Sequence, residues 1–163
     1  MSEWFDSYGL AEVYDGLVIG AFPLDIHDVD TLAGLRVRRV LNLVSEDEYS
    51  PGQHDHVLAA YAASGIFEER LNLVDFGHLP AEVLESAVRL VTGWLDAGMS
   101  SYVHCRAGWQ RSAAVAAGVV AVREGLDIDD ALFFVRHRKP SADPLPHQID
   151  DLVRWWESRN GHG

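Results

Sequence analysis

The spacing of apolar positions switches along the chain between a period of two and a period near 3.6, and each switch outlines an element. In "EVYDGLVIGAF" (12–22) two short β-prone runs flank Asp15-Gly16, a dipeptide suited to a tight turn, so an opening hairpin is predicted. A brief helix is expected through "HDVDTLAGL" (27–35). "RRVLNLV" (38–44) and "FEERLNLV" (67–74) read as strands, separated by the loop "SEDEYSPG" (45–52) and a helical "DHVLAAYAAS" (55–64) that stops at Gly65. From Pro80, a natural first-turn residue, Val83, Leu84, Ala87, Val88, Val91, Trp94 and Leu95 recur at helical spacing up to Gly98. "SYVHC" (101–105) is short, apolar and β-prone. The Ala-rich "SAAVAAGVVAVRE" (112–124) after it predicts a helix with faces small enough to pack closely on a sheet. "DIDDALFFVRHR" (127–138), capped by Asp127 and stopped near Pro140, and "HQIDDLVRWWES" (147–158) complete the helices, the last burying Leu152, Trp155 and Trp156.

Strands that alternate with helices imply an α/β fold with a mostly parallel twisted sheet of about five strands, covered by helices on both faces. No repeat, low-complexity tract or linker divides the chain, so residues 1–163 are expected to form a single domain.

Composition changes this picture in two respects. Hydrophobic residues make up 48% of the chain, yet no apolar run approaches the ~20 residues that span a bilayer. With no basic, then apolar leader and only one cysteine, a soluble protein in a reducing cytoplasm is expected. The net charge of −12, from 25 acidic against 13 basic residues, argues against nucleic acid or an anionic membrane as partner. Any phosphate must be held locally.

The one cysteine lies in "VHCRAGWQRS" (103–112), between an apolar strand and a helix. A lone cytosolic cysteine is most often a core residue. Here, however, Cys105 stands beyond the carboxyl end of a strand, where open α/β sheets build their sites and where a helix N-terminus offers free N–H groups and partial positive charge. Arg111 follows six residues later, so a turn of backbone amides can wrap a tetrahedral anion, with the thiol beneath and the guanidinium beside it. Gly108 supplies the freedom that wrap needs. The same positive surroundings favour the thiolate, which is the nucleophilic form.

At these residues the sequence resembles the cysteine-based protein tyrosine phosphatases, whose signature HCxxGxxR followed by Ser or Thr stands complete as "HCRAGWQRS" (104–112). Length and order of elements look like the small dual-specificity branch, from "VYDGLVIGA" through "VLNLV" to "ALFFVRHRKP". The resemblance implies that Cys105 is the nucleophile, Arg111 the phosphate clamp, His104 an orienter of the thiolate and Ser112 an aid to its departure. Arg106, Ala107, Gly108, Trp109, Gln110 and Arg111 would supply the phosphate-binding amides. No metal and no cofactor are implied. Expelling an alkoxide or phenoxide also requires an acid at the leaving oxygen. The family carries an Asp about 30 residues before the cysteine, which selects Asp75 in "NLVDFGHLP", with His78 and Glu82 as weaker alternatives.

Other features have plainer readings. The histidines of "HDH" (54–56) diverge on a helix and are expected at the surface rather than on a metal. "RHRK" (136–139) complements a helix C-terminus, with a steering role as the alternative. Trp109 is expected to pack under the loop rather than shape the pocket mouth. The family's frequent Pro-Asn is replaced by "DPLP" (143–146), which puts bracing of the loop by that turn in question.

The expected activity is hydrolysis of phosphotyrosine, with phosphoserine and phosphothreonine as further protein substrates, through a cysteinyl-phosphate intermediate. The alternatives are a phosphatase for a non-protein ester (phosphoinositide, RNA end or phosphosugar) and a phosphate-binding module without turnover. The sequence leaves the oligomeric state open.

Overall fold

The computed structural model describes residues 1–161; the last two residues of the expected 1–163 domain lie outside the described residues. In chain order the elements are α1 (Glu3–Tyr8), β1 (Leu10–Tyr14), β2 (Leu17–Gly20), α2 (Ile26–Gly34), β3 (Val37–Asn42), a 3-10 turn (Glu46–Glu48), α3 (Gln53–Ser64), β4 (Phe67–Arg70), α4 (Ala81–Asp96), β5 (Ser100–His104), α5 (Arg111–Glu124), α6 (Ile128–Arg138) and α7 (Pro146–Arg159). The sheet runs β1-β2-β5-β3-β4 and is parallel except for the β1–β2 hairpin. β5 is therefore central, with His104 opposite both Gly20 and Asn42.

Because successive strand side chains point to opposite faces, β2, β3 and β5 feed two cores at once. Leu17, Ile19, Leu41 and Val103 face the layer of α4 to α7. Val18, Val40 and Tyr102 face Phe5 of α1, Val29 and Leu32 of α2, and Val57 and Tyr61 of α3. α5 is the most enclosed helix, with every residue from Arg111 to Ala121 buried. Its small residues permit this: a Cβ on Gly118 would stand 2.9 Å from Val88 and 3.3 Å from Trp155, so α4 and α7 press directly on its backbone. Leu152 and Trp155 form the inner face of α7, as the spacing predicts, while Trp156 is half-buried.

Two elements differ from the sequence expectation. α1 is absent from the periodic pattern; it is held by Ser2, whose hydroxyl caps Phe5 N–H and donates to buried Asp28. The strand expected over 67–74 ends at Arg70. β3 itself ends at Asn42, whose side chain accepts from Val44 N–H, so residues 71–73 keep only separate bonds, Leu71 to Asn42 and Leu73 to Leu43. Among the described residues, no helix is long and apolar enough to cross a membrane.

Candidate active site

The loop from Cys105 to Gln110 leaves the end of the central strand and enters α5. Its path is fixed from outside: the Arg106 carbonyl accepts from Phe22 N–H at 3.1 Å, and the Trp109 carbonyl from Asp143 N–H at 2.6 Å. With these carbonyls turned to outer partners, the N–H groups of Arg106 to Gln110 have no backbone acceptor among the described residues. A run of free amides at a helix start is an anion cradle. Gly108 has φ +79°, and a Cβ there would lie 2.5 Å from the Gly20 backbone, so this turn requires glycine.

Beneath the cradle, Cys105 is 3% exposed and its Sγ lies 3.4 Å from Ser112 Oγ, whose hydroxyl can donate to a thiolate. Arg111 is 1% exposed and spans the site. Its Nη1 donates to the carbonyls of Leu73 (2.9 Å) and Leu43 (3.3 Å) and to Glu48 Oε2 (3.0 Å), while Nη2 donates to Glu48 Oε1 (2.8 Å) and lies 3.2 Å from Asp75 Oδ1. Its buried Nε has no partner among the described residues, which leaves one donor for a ligand oxygen. Burial opposes the Arg111 charge, but hydrogen bonds to Glu48 and the charges of Cys105, Glu48 and Asp75 hold the guanidinium above its ordinary range. Burial likewise raises Glu48, yet its bonds to Arg111 and to Ser45 N–H bring it net below the usual carboxylate range.

His104 is fully buried, with Nδ1 3.2 Å from the Cys105 carbonyl; a carbonyl only accepts, so this nitrogen carries the proton. Burial pushes the imidazole down to about 3, against the opposing effect of that hydrogen bond. An unfolded histidine titrates near ~6.5, so this group contributes stability that is complete above that pH and is lost as pH falls toward about 3. Folding stability should drop by as much as about 1.4 kcal/mol per pH unit through that window. Urea titrations at pH 7.5 and 5.5 would measure it. His104→Asn should flatten the dependence, and an unchanged slope in that variant would assign it to other groups.

Asp75 sits in the loop after β4, half-buried at the mouth. The two alternative acids are placed elsewhere: His78 is bound to Asp151, and Glu82 is exposed on the first turn of α4. Trp4, Tyr8, Asp75, Phe76, Trp109 and Arg111 are among the residues lining a cavity of about 390 Å³ over Cys105. Trp109 thus corrects the sequence expectation. The space under the loop is filled by the Gly20 backbone, so the indole turns outward, 43% exposed, with its ring 5.5 Å from that of Tyr8.

His54 is also displaced from its expected surface position. It is 5% exposed, between Glu46 Oε2 (2.9 Å) and Glu68 Oε2 (2.8 Å), and stacks on Tyr49; only His56 of that pair faces solvent. The first turn of α3 faces the 3-10 turn that presents Glu48, and His54 ties that turn to β4. Among the described residues no group of three or more His, Cys, Asp or Glu side chains is arranged to hold a metal. In the "RHRK" segment His137 and Arg138 are exposed, while Arg136 and Lys139 are tied into the structure. Arg136 Nε donates to the Ala142 carbonyl, and Lys139, 5% exposed, donates to Ser141. Both shape the turn whose Asp143 N–H holds Trp109, so "DPLP" does brace the loop from Cys105 to Gln110.

No protein-family model matches the sequence and no curated protein matches it. Solved structures do match. A mutant form of Tk-PTP superposes with a TM-score of 0.79 at 25% identity, over 92% of this chain and 96% of that one. PTPMT1 in complex with PI(5)P gives 0.80 at 20% identity, over 93% and 97%. Human DUSP28 gives 0.73 at 23% identity, over 93% and 95%. With the strand–loop–helix geometry around Cys105, these likenesses give the chain the fold of the small, dual-specificity-like cysteine-based tyrosine phosphatases.

Proposed function

We propose that the protein is a phosphomonoesterase that hydrolyses phosphotyrosine in proteins, with phosphoserine and phosphothreonine as secondary substrates, through a cysteinyl-phosphate intermediate. The observation that carries this reading is the convergence on one cavity of Cys105, a run of free amides, the unpartnered Nε of Arg111 and the carboxyl of Asp75. The amides and Arg111 take up the phosphate oxygens. Sγ of Cys105 attacks phosphorus as the ester P–O bond breaks, and Asp75 gives its proton to the leaving oxygen. Water then attacks phosphorus, Asp75 takes up its proton, and Ser112 stabilises the departing thiolate as inorganic phosphate leaves.

The walls favour an aryl ester. Trp4, Tyr8, Phe76 and Trp109 surround the mouth, and among the described residues the only basic side chain lining it apart from Arg111 is Arg106. That lining suits a flat ring better than a headgroup bearing several phosphates. The likeness to PTPMT1 bound to PI(5)P supports a phosphoinositide as the second reading. The test is turnover of p-nitrophenyl phosphate, a phosphotyrosyl peptide and a soluble phosphoinositide, with chelator present and vanadate added. We expect hydrolysis of the first two, insensitive to chelator and blocked by vanadate, because a cradle with its own nucleophile needs no metal-activated water. Activity lost to chelator and restored by a divalent ion would refute the mechanism. Preference for the inositol lipid would select the second reading.

A further inference from the structure

Asp75 belongs to a loop whose shape is not self-sustaining. Phe76, a bulky non-glycine residue, has φ +60°, a left-handed conformation that persists only where the surroundings impose it. At Gly77 the turn closes on itself: its N–H donates to the Val74 carbonyl at 2.9 Å, and a Cβ on it would lie 2.9 Å from that of Val74. Four consecutive residues after the acid are held by the first two turns of one helix, α7. His147 Nε2 donates to the Phe76 carbonyl at 2.9 Å, and Gln148 Nε2 to the Gly77 carbonyl at 3.1 Å. Asp151 Oδ2 accepts from Leu79 N–H at 2.8 Å and lies 2.9 Å from His78 Nδ1. Gln148 is wholly buried, and its Oε1 accepts from Leu145 N–H, so its amide is fixed at both ends. Just before the helix, Asp143 N–H grips Trp109 of the phosphate loop. One stretch of chain, 143–151, therefore holds the nucleophile loop and the acid loop in register.

We propose that His147, Gln148 and Asp151 are positioning residues that set Asp75 over the leaving-group oxygen. The inference rests on the phosphatase reading for its catalytic consequence, but the latch itself is a matter of geometry. Displacing a reacting group by about 1 Å costs on the order of 100-fold in rate, and here the loss falls on the acid step alone.

The test uses His147→Ala, a surface change, with Gln148→Leu and Asp151→Ala as buried counterparts. On a phosphate ester with a poor leaving group, kcat should fall about 10-fold to 100-fold, while on an activated aryl ester it should stay within about twofold and vanadate affinity should hold. His147→Gln, whose amide still donates to the Phe76 carbonyl, should recover most of the loss. In an Asp75→Asn background the α7 changes should have little further effect, because they act through the same group. Equal losses on both esters, or full additivity with Asp75→Asn, would overturn the proposal. Hydrogen exchange supplies an arm independent of catalysis: the Leu79 amide should exchange faster in folded Asp151→Ala, which removes its acceptor, than in the wild type, and equal rates would refute the latch. A wild type without activity on any phosphate ester would sink the phosphatase reading alone, leaving exchange to decide the latch.

Discussion

Replacing Arg111 by lysine is expected to abolish turnover almost as completely as replacing it by alanine. The guanidinium serves five oxygen partners in two directions: the carbonyls of Leu43 and Leu73, both Glu48 oxygens and Asp75, with Nε still free. An ammonium is a point charge with three donors on a flexible stem; it can answer Glu48 or a phosphate oxygen, but it cannot hold a planar fork between them. On the proposed mechanism the clamp contributes most as charge spreads onto the phosphoryl oxygens, so the deficit should fall on kcat as well as KM. Arg111→Ala leaves the partly buried Glu48 without its main partner, which destabilises the fold, so thermal unfolding must be measured beside activity. Glu48→Gln separates the two effects. It keeps an acceptor beside a correctly shaped Arg111, and should retain far more activity than Arg111→Lys at comparable stability. Near-normal kcat in folded Arg111→Lys protein would remove the clamp from the mechanism.

Asp75→Asn should divide substrates by leaving group. A positioned acid contributes ~10² to 10⁴ in rate where an alkoxide or unactivated phenoxide must depart, and almost nothing where a dinitrophenolate leaves unaided. The substitution preserves shape and a polar contact to Arg111, so phosphate affinity should change little. Phenyl phosphate and dinitrophenyl phosphate measured on one preparation give the contrast directly. Uniform losses would transfer the acid role to another group, and neither His78, bound to Asp151, nor exposed Glu82 lines the cavity.

The parts of the site that were legible in the sequence are those whose geometry is local. Cys105, Arg111 and Ser112 are brought together by a loop a few residues long and the helix start after it, so spacing alone places them. The helices with strong periodicity or a clear stop signal, such as α4 after Pro80, were equally plain. Glu48 was not. It shares a short acidic loop with Glu46 and Asp47, and which carboxylate meets an arginine 63 residues away depends on where β3 ends and how His54 draws the turn toward β4. α1 escaped because a six-residue helix has little propensity signal; burial of Phe5 and the Ser2–Asp28 pair create it. The direction of Trp109 depended on Gly20, a residue in another strand whose backbone occupies the space beneath the loop. Tertiary contacts decide each of these, and a linear pattern does not encode them.

The enclosure of α5 separates what this protein can vary from what it cannot. From Arg111 to Ala121 no residue reaches solvent, and α4 and α7 rest on the backbone at Gly118, so almost any enlargement there meets a neighbour. On the proposed mechanism the reacting groups are therefore held as a block, with helix, loop and Cys105 in one frame. The aromatic rim is assembled from separate, more accessible pieces: Trp4 and Tyr8 on the short α1, Phe76 on the acid loop and Trp109 turned out of the phosphate loop. Substitutions at these positions can retune which leaving groups fit while Cys105 and Arg111 keep their geometry, so selection for a new substrate has an open route through the rim and a closed one through the helix.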